Sequence, residues 1–483
     1  MRLPLLPLLG FGLGTLSLVT FLSVLRSTSL TTGNGQTQAN GNLLNLPGEA
    51  FNPKEGRGNL LNLLDGAPRP KEGNGNLLNL PVEAPRPKEA LRGSTNNIHL
   101  VFSTDCSAYQ DWQSIVLFHS AQLVGQPGRV TRIASGCSEA QQQELLDLYA
   151  KLLAPGQGIH FTEPFGFDPE TGKPFPYFNK PNGIRHFLAH ANPPVTASII
   201  GLLDPDMVFL QPITPSLEGV TIFPSAPGGS LTSLPCRHLQ RYLLGGAWAN
   251  WPDKAEIMGA IRGGRDSPAL RVTAAESRAH YDAGPPYLMH RDDWEKLSLL
   301  WVELMPGVVQ RHPDILADMY AFSMAAAHLD LPHRLANSLM VSDPKVVGGE
   351  GWPLVDALPD EEVCSSTVGS RHALPAVLHY CQVFRLGDWM FGKRKKELQQ
   401  VFSCDGLLYE VPPPDIVHLR EKFLPLHPPK DVEMVTQRVA KMQAFALCTA
   451  LRGLNQAAMH YRAKICEGEA PAPVKLTDVK GMH

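Results

Sequence analysis

The longest apolar stretch of the chain comes first. Between Arg2 and Arg26 the 23 residues 3–25 carry no charge. As a helix they would reach about 34 Å, enough to cross the hydrocarbon core of a bilayer. A cleaved signal peptide is the competing reading. Such peptides have shorter apolar cores and a small-residue cleavage site, and no A-x-A follows here. From residue 96 the pattern becomes short apolar runs alternating with amphipathic ones. Residues 98–102 read as a buried strand that ends in Ser103-Thr104-Asp105. Residues 111–124 predict a helix with Asp111 as its cap, and 130–134 a second strand. An amphipathic helix follows over 139–153, and another helix over 182–190 after Pro181. Residues 195–203 form a continuous apolar run, as in a strand covered on both faces. Residues 430–463 carry a long helical pattern, with Val432, Val435, Val439 and Met442 on one face. Strands alternating with helices indicate an α/β sandwich.

Between these regions the texture differs. Gly41, Gly58 and Gly75 each begin one copy of a 17-residue unit, GNLLNLPGEAFNPKEGR in its first form. Gly, Pro and Asn supply 27 of residues 27–95, too polar a stretch to offset its own ordering entropy, so a disordered spacer is expected. The organisation expected is a signal anchor over 1–26, a stem over 27–95, an α/β domain over 96–425, and a C-terminal helix and tail over 426–483. Lys and Arg number 43 against 46 Asp and Glu, a balance that excludes a dedicated nucleic-acid binder. An anchored chain would hold its C-terminal part in the lumen. All eight cysteines lie at or beyond Cys106, so most are expected to be oxidised. Eight cysteines allow 105 pairings, and spacing alone chooses none.

The apolar run at 195–203 ends in Asp204-Pro205-Asp206, the single D-x-D of the chain. Two carboxylates at the C-terminal end of a central strand stand where α/β sheets bind ligands. Their oxygens suit Mg²⁺ or Mn²⁺, which can bridge a nucleotide diphosphate. The other reading is a plain turn, with Pro205 as its stiffener. His186 and His190 lie four apart but lack the Glu of H-E-x-x-H, and read as a structural pair. No C-x-x-C, G-x-S-x-G or Walker lysine loop occurs.

Several blocks occur in a specific order. Tyr109-Gln110-Asp111-Trp112-Gln113, Gln126-Pro127-Gly128-Arg129-Val130-Thr131-Arg132 and Asn179-Lys180-Pro181 precede Asp204. Asp318-Met319-Tyr320, Leu378-His379-Tyr380-Cys381 and Gly387-Asp388-Trp389 through Lys393-Arg394 follow it. Over about residues 97–466 the series resembles the hydroxyproline O-arabinosyltransferase-like family, which includes peptidyl serine α-galactosyltransferases. The resemblance implies a GT-A-like, Rossmann-like α/β glycosyltransferase domain. It implies Asp204 and Asp206 as ligands of Mn²⁺ on the diphosphate, with His379 completing the shell or packing as a strand histidine. Lys393 and Arg394 would neutralise leaving-phosphate charge. Asp318, where the family shows Glu, would position donor or acceptor. Ser103, Thr104 and Asp105 would lie against the uridine, and Arg132 and Lys180 near nucleotide or acceptor. Residues 245–280 match no block and are expected to shape the acceptor side.

The expected protein is a single-pass type II enzyme of the Golgi or endoplasmic reticulum membrane, with a lumenal catalytic domain. It would transfer arabinofuranose or galactose from a UDP-sugar to hydroxyproline or serine of a secreted or cell-wall glycoprotein, metal-dependently and with retention. The rivals are a non-catalytic lumenal binding protein for Pro-rich chains and a nucleotide-sugar hydrolase.

Overall fold

Ile98–Thr104 (β1) is buried along its whole length, and its side chains alternate between two cores. Ile98, Leu100 and Phe102 join one cluster, and Val101 joins the other. The buried strand expected here is thus covered on both faces. A computed structural model describes residues 98–217, 220–221, 238–241, 245–345, 348–366, 368–395, 397–423 and 432–466. The anchor expected at 1–26 and the stem at 27–95 lie outside these residues. Among the described residues no helix is long and apolar enough to cross a membrane.

β1 leads into helix Ala108–Leu123 (α1), then strand Arg129–Ser135 (β2), helix Glu139–Leu152 (α2) and strand Gln157–Thr162 (β3). Helix Asn179–His190 (α3) returns the chain to strand Ile199–Leu203 (β4) on the far side of β1. These four strands are parallel in the order β3-β2-β1-β4. Strand Ala283–His290 continues the sheet antiparallel to β4, followed by His238–Arg241 and Arg334–Ala336. A second sheet of three strands joins Met207–Phe209 (β5), Val377–His379 and Met340–Val341. Helices Arg291–Arg311 and Ala317–His328 pack on each other, and the first of them also packs on α3. Helix Gln437–Ile465 packs against α1, and its buried face belongs to the core that takes Ile98, Leu100 and Phe102.

Several boundaries differ from the sequence pattern for local reasons. α1 begins three residues before Asp111, because Ser107 caps it by accepting from the Gln110 N–H. Asp111 is spent on Arg132 instead, at 2.7 Å. The long helix starts at Gln437, where Thr436 caps it. Val432 and Val435 therefore precede it, and Val432 lies in strand Val432–Met434. β4 begins only at Ile199, so residues 195–198 lie outside it. Six of the eight cysteines form disulfides: Cys106–Cys137, Cys364–Cys448 and Cys404–Cys466. The first ties the loop after β1 to the loop after β2. The other two clamp the long helix.

The Gln126-to-Arg132 block has an architectural explanation. The Gln126 side chain grips the backbone of Ile213 from both sides, donating to its carbonyl and accepting from its N–H, each at 2.8 Å. Gly128 has φ +78, and a Cβ there would stand 1.9 Å from the Ile98 carbonyl oxygen. Only glycine fits that left-handed turn, which delivers the chain into β2 beside β1. Gly128→Ala should lose at least about 2 kcal/mol of stability by urea denaturation, from strain plus displacement of β1. A loss below about 0.5 kcal/mol, within the range of ordinary surface substitutions, would refute this account of the turn.

Candidate active site

The chain builds outward from β1 to β3 and then crosses to β4. The strand order thus reverses between β1 and β4, and the carboxyl ends of these two strands frame a crevice. A cavity of about 590 Å³ occupies this place. Ser103, Thr104 and Asp105 line it from the end of β1, and Lys180 from the first turn of α3. Asp204 and Asp206 line it from the turn between β4 and β5, and Asp318 from helix Ala317–His328. His379, Lys393 and Arg394 complete that wall.

Strand pairing accounts for His379. Val377–His379 runs antiparallel to β5 with His379 opposite Met207, and the Tyr380 N–H donates to the Asp206 carbonyl at 3.0 Å. The imidazole therefore sits beside the acid pair. Its Nε2 is 3.2 Å from Asp206 Oδ1 and 3.8 Å from Asp204 Oδ2. Asp206 Oδ2 accepts from the Lys393 ammonium, 187 residues away in sequence. Lys180 Nζ bridges two acids, at 2.8 Å from Asp204 and 2.7 Å from Asp318. Trp301 Nε1 donates to the Asp318 carbonyl at 2.7 Å and so seats that helix turn.

The charges hold one another. Burial opposes ionisation of Asp206, but His379 and Lys393 outweigh it and hold the carboxyl far below the usual carboxylate range. Burial likewise disfavours the His379 cation, yet Asp206 outweighs it and raises the imidazole well above its ordinary value. Lys180 is raised in the same way: burial opposes the charge, and Asp204 and Asp318 overcome it. For Asp318 burial wins, and its carboxyl is raised despite Lys180.

One donor atom each from Asp204, Asp206 and His379 lie within 4.8 Å of one another, the one such group among the described residues. Two carboxylate oxygens and an imidazole nitrogen are a donor set suited to a divalent ion such as Mn²⁺. By this chemistry the residues fit such an ion.

Arg132 does not reach the crevice. It is fully buried beneath it, donating to Thr104 Oγ1 and the Asp105 carbonyl at 2.8 Å and to the Tyr149 hydroxyl at 2.7 Å, while pairing with Asp111. Two of these four contacts brace the end of β1 from below, so its service to the site is indirect. None of residues 245–280 lines the cavity. Their apolar residues join the core, and Trp248 Nε1 donates to Ser323 Oγ at 2.9 Å, bracing the helix that carries Asp318. His186 and His190 lie on α3 away from the acid pair, with His186 2.9 Å from His160 across their ring nitrogens.

Sequence reasoning missed Tyr109, Gln113, Tyr177, Asn179, Cys381 and Gln382, all of which line the cavity. Tyr109 and Gln113 carried a signal, being one helical turn apart just after a strand that ends at the site. Tyr177 carried none, because its position depends on where the 3-10 turn Pro176–Phe178 meets α3.

No family model matches the chain. The chain is similar to two proteins named peptidyl serine alpha-galactosyltransferase, as the ordered blocks imply. The Arabidopsis thaliana protein is 27% identical over 349 residues, 69% of this chain and 36% of that protein. The Chlamydomonas reinhardtii protein is 25% identical over 319 residues, 61% of this chain and 36% of that protein. The chain thus matches little more than a third of each relative's length. A crystal structure of the galactosyltransferase LgtC with donor and acceptor sugar analogs aligns with 59% of this chain and 87% of its own, at 13% identity and TM-score 0.31. A likeness that low decides nothing about this chain.

Arg132→Lys tests the bracing role. A lysine cannot span Asp111, Tyr149 and the two β1 acceptors, so the variant should lose roughly 3 kcal/mol of stability. A variant with unchanged urea midpoint but impaired nucleotide binding would return Arg132 to the donor site.

Proposed function

We propose that the chain is a GT-A-like glycosyltransferase that moves a sugar from a UDP-sugar to a serine or hydroxyproline hydroxyl of a protein. One observation carries the reading. Asp204, Asp206 and His379 converge on the crevice at the strand-order reversal, with the cations Lys393 and Arg394 on the same wall. The named relatives favour galactose and serine over arabinofuranose and hydroxyproline. Three disulfides support a lumenal catalytic unit, and with the apolar run at 3–25 they support a type II protein of the Golgi or endoplasmic reticulum.

Asp204, Asp206 and His379 would hold a divalent cation, Mn²⁺ in our reading, which when bound stabilises charge on the diphosphate. Ser103, Thr104 and Asp105 offer hydroxyl and carboxylate groups to the nucleoside from the end of β1. Lys393 and Arg394 stabilise the phosphate charge that grows as the sugar leaves. With retention, the acceptor oxygen attacks C1 from the leaving-group side. The C1–O bond to phosphate breaks, the new C1–O bond forms, and the acceptor proton passes to the departing phosphate. The crevice supplies position and charge rather than a general base. Asp318 serves this arrangement by fixing Lys180, which in turn fixes Asp204.

The full chain should release UDP from one member of a UDP-sugar panel in the presence of a serine- and hydroxyproline-containing peptide, and EDTA should stop it. Asp206→Asn should lower kcat at least about 10²-fold with saturating Mn²⁺. A folded Asp206→Asn variant with near wild-type kcat would remove the metal site from the mechanism. Release without peptide dependence would make the chain a hydrolase, and no release from any donor would make it a binding protein.

A further inference from the structure

Resting on the reading of Asp204, Asp206 and His379 as a divalent-cation site, we propose that Lys393 is the cation's resident competitor. Its ammonium holds Asp206 when no cation is bound, and passes to the incoming diphosphate when one is.

Asp206 is 3% exposed, and both of its oxygens are engaged. Oδ1 faces His379 Nε2 at 3.2 Å, and Oδ2 accepts from Lys393. A cation that takes this carboxylate must displace something. The imidazole can remain by giving up its proton, because the ring nitrogen then has a lone pair to give. An ammonium has three donors and no lone pair, so it can only compete. It also repels a divalent ion at close range.

Lys180 is placed differently. It touches two acids, Asp204 at 2.8 Å and Asp318 at 2.7 Å, from within α3. On losing one it keeps the other. Among the described residues Lys393 pairs with Asp206 alone, and it stands in the turn after strand Trp389–Phe391, next to Arg394 on the cavity wall. A buried carboxylate without a counter-charge is costly, so the lysine satisfies Asp206 until a cation does. A released ammonium in a half-buried crevice gains from a new anion, and a diphosphate supplies it. Cation and nucleotide diphosphate therefore bind cooperatively, each tightening the other through Lys393.

The test is Mn²⁺ titration of the full chain, followed by the electron paramagnetic resonance of the free ion, with and without UDP. Lys393→Met should bind Mn²⁺ alone at least about ten-fold more tightly than wild type, because a positive charge has left the site. UDP should tighten Mn²⁺ binding to wild type and do so much less for the variant. Mn²⁺ affinity of a folded Lys393→Met equal to or below wild type would overturn the proposal. Asp206→Asn separates the two levels. If it binds Mn²⁺ as wild type does, the cation site itself falls. If it loses Mn²⁺ while Lys393→Met matches wild type, only the role of Lys393 falls. Should Lys393→Met not fold, acetic anhydride labelling of wild type decides. Mn²⁺ alone should raise labelling of Lys393 severalfold and leave Lys180 unchanged, and unchanged Lys393 labelling would overturn the idea.

Discussion

Three carboxylates gathered in one largely buried crevice, Asp204, Asp206 and Asp318, can stay there only if each has a counter-charge. Desolvation of an unpaired carboxylate is prohibitive, and a pair pays for itself only with good geometry. The surrounding elements meet that demand. α3 brings Lys180 between Asp204 and Asp318, the strand pairing with β5 brings His379 to Asp206, and the turn after strand Trp389–Phe391 brings Lys393. Loss of any one partner would leave the others with excess charge. The cluster thus behaves as a unit, which is why its carboxyl, imidazole and ammonium groups depart so far from their ordinary values.

This demand explains the helices behind the crevice. Asp318 would be a liability on a mobile segment, and the segment is made rigid. Trp301 takes the Asp318 carbonyl, Trp248 takes Ser323 one turn and a half further on, and Trp251 stacks on His312 with ring centroids 3.5 Å apart. Residues 245–280 therefore support the crevice from the core rather than by lining the cavity. On the other face, Arg132 does the same for the end of β1.

The blocks that carry the family resemblance divide into two kinds. Gln126, Gly128 and Arg132 are architectural: they set the entry of β2, its register beside β1 and the floor under Asp105. Tyr109, Lys180, Asp206, His379 and Lys393 line the cavity. Ordered blocks report both kinds alike, since a lost brace and a lost cavity residue both disable a site. Only burial and direction separate them, and Arg132, fully buried, shows how a basic residue beside a site can belong to the first kind.

By itself the sequence determined the alternation of strands and helices, the burial of β1, the double burial of β4, and the place of Asp204-Pro205-Asp206 at a strand end. These follow from local hydrophobic period, which records what each neighbouring residue must bury. Helix starts were less legible, because Ser107 and Asp111 are both acceptable caps and only contact with Arg132 assigns Asp111 elsewhere. What the tertiary structure alone decided is the pairing of charges. His379 reaches Asp206 through an antiparallel ladder, and Lys393 reaches it across 187 residues. No local period encodes such contacts, since their energy exists only when distant strands have closed and water has left the space between them.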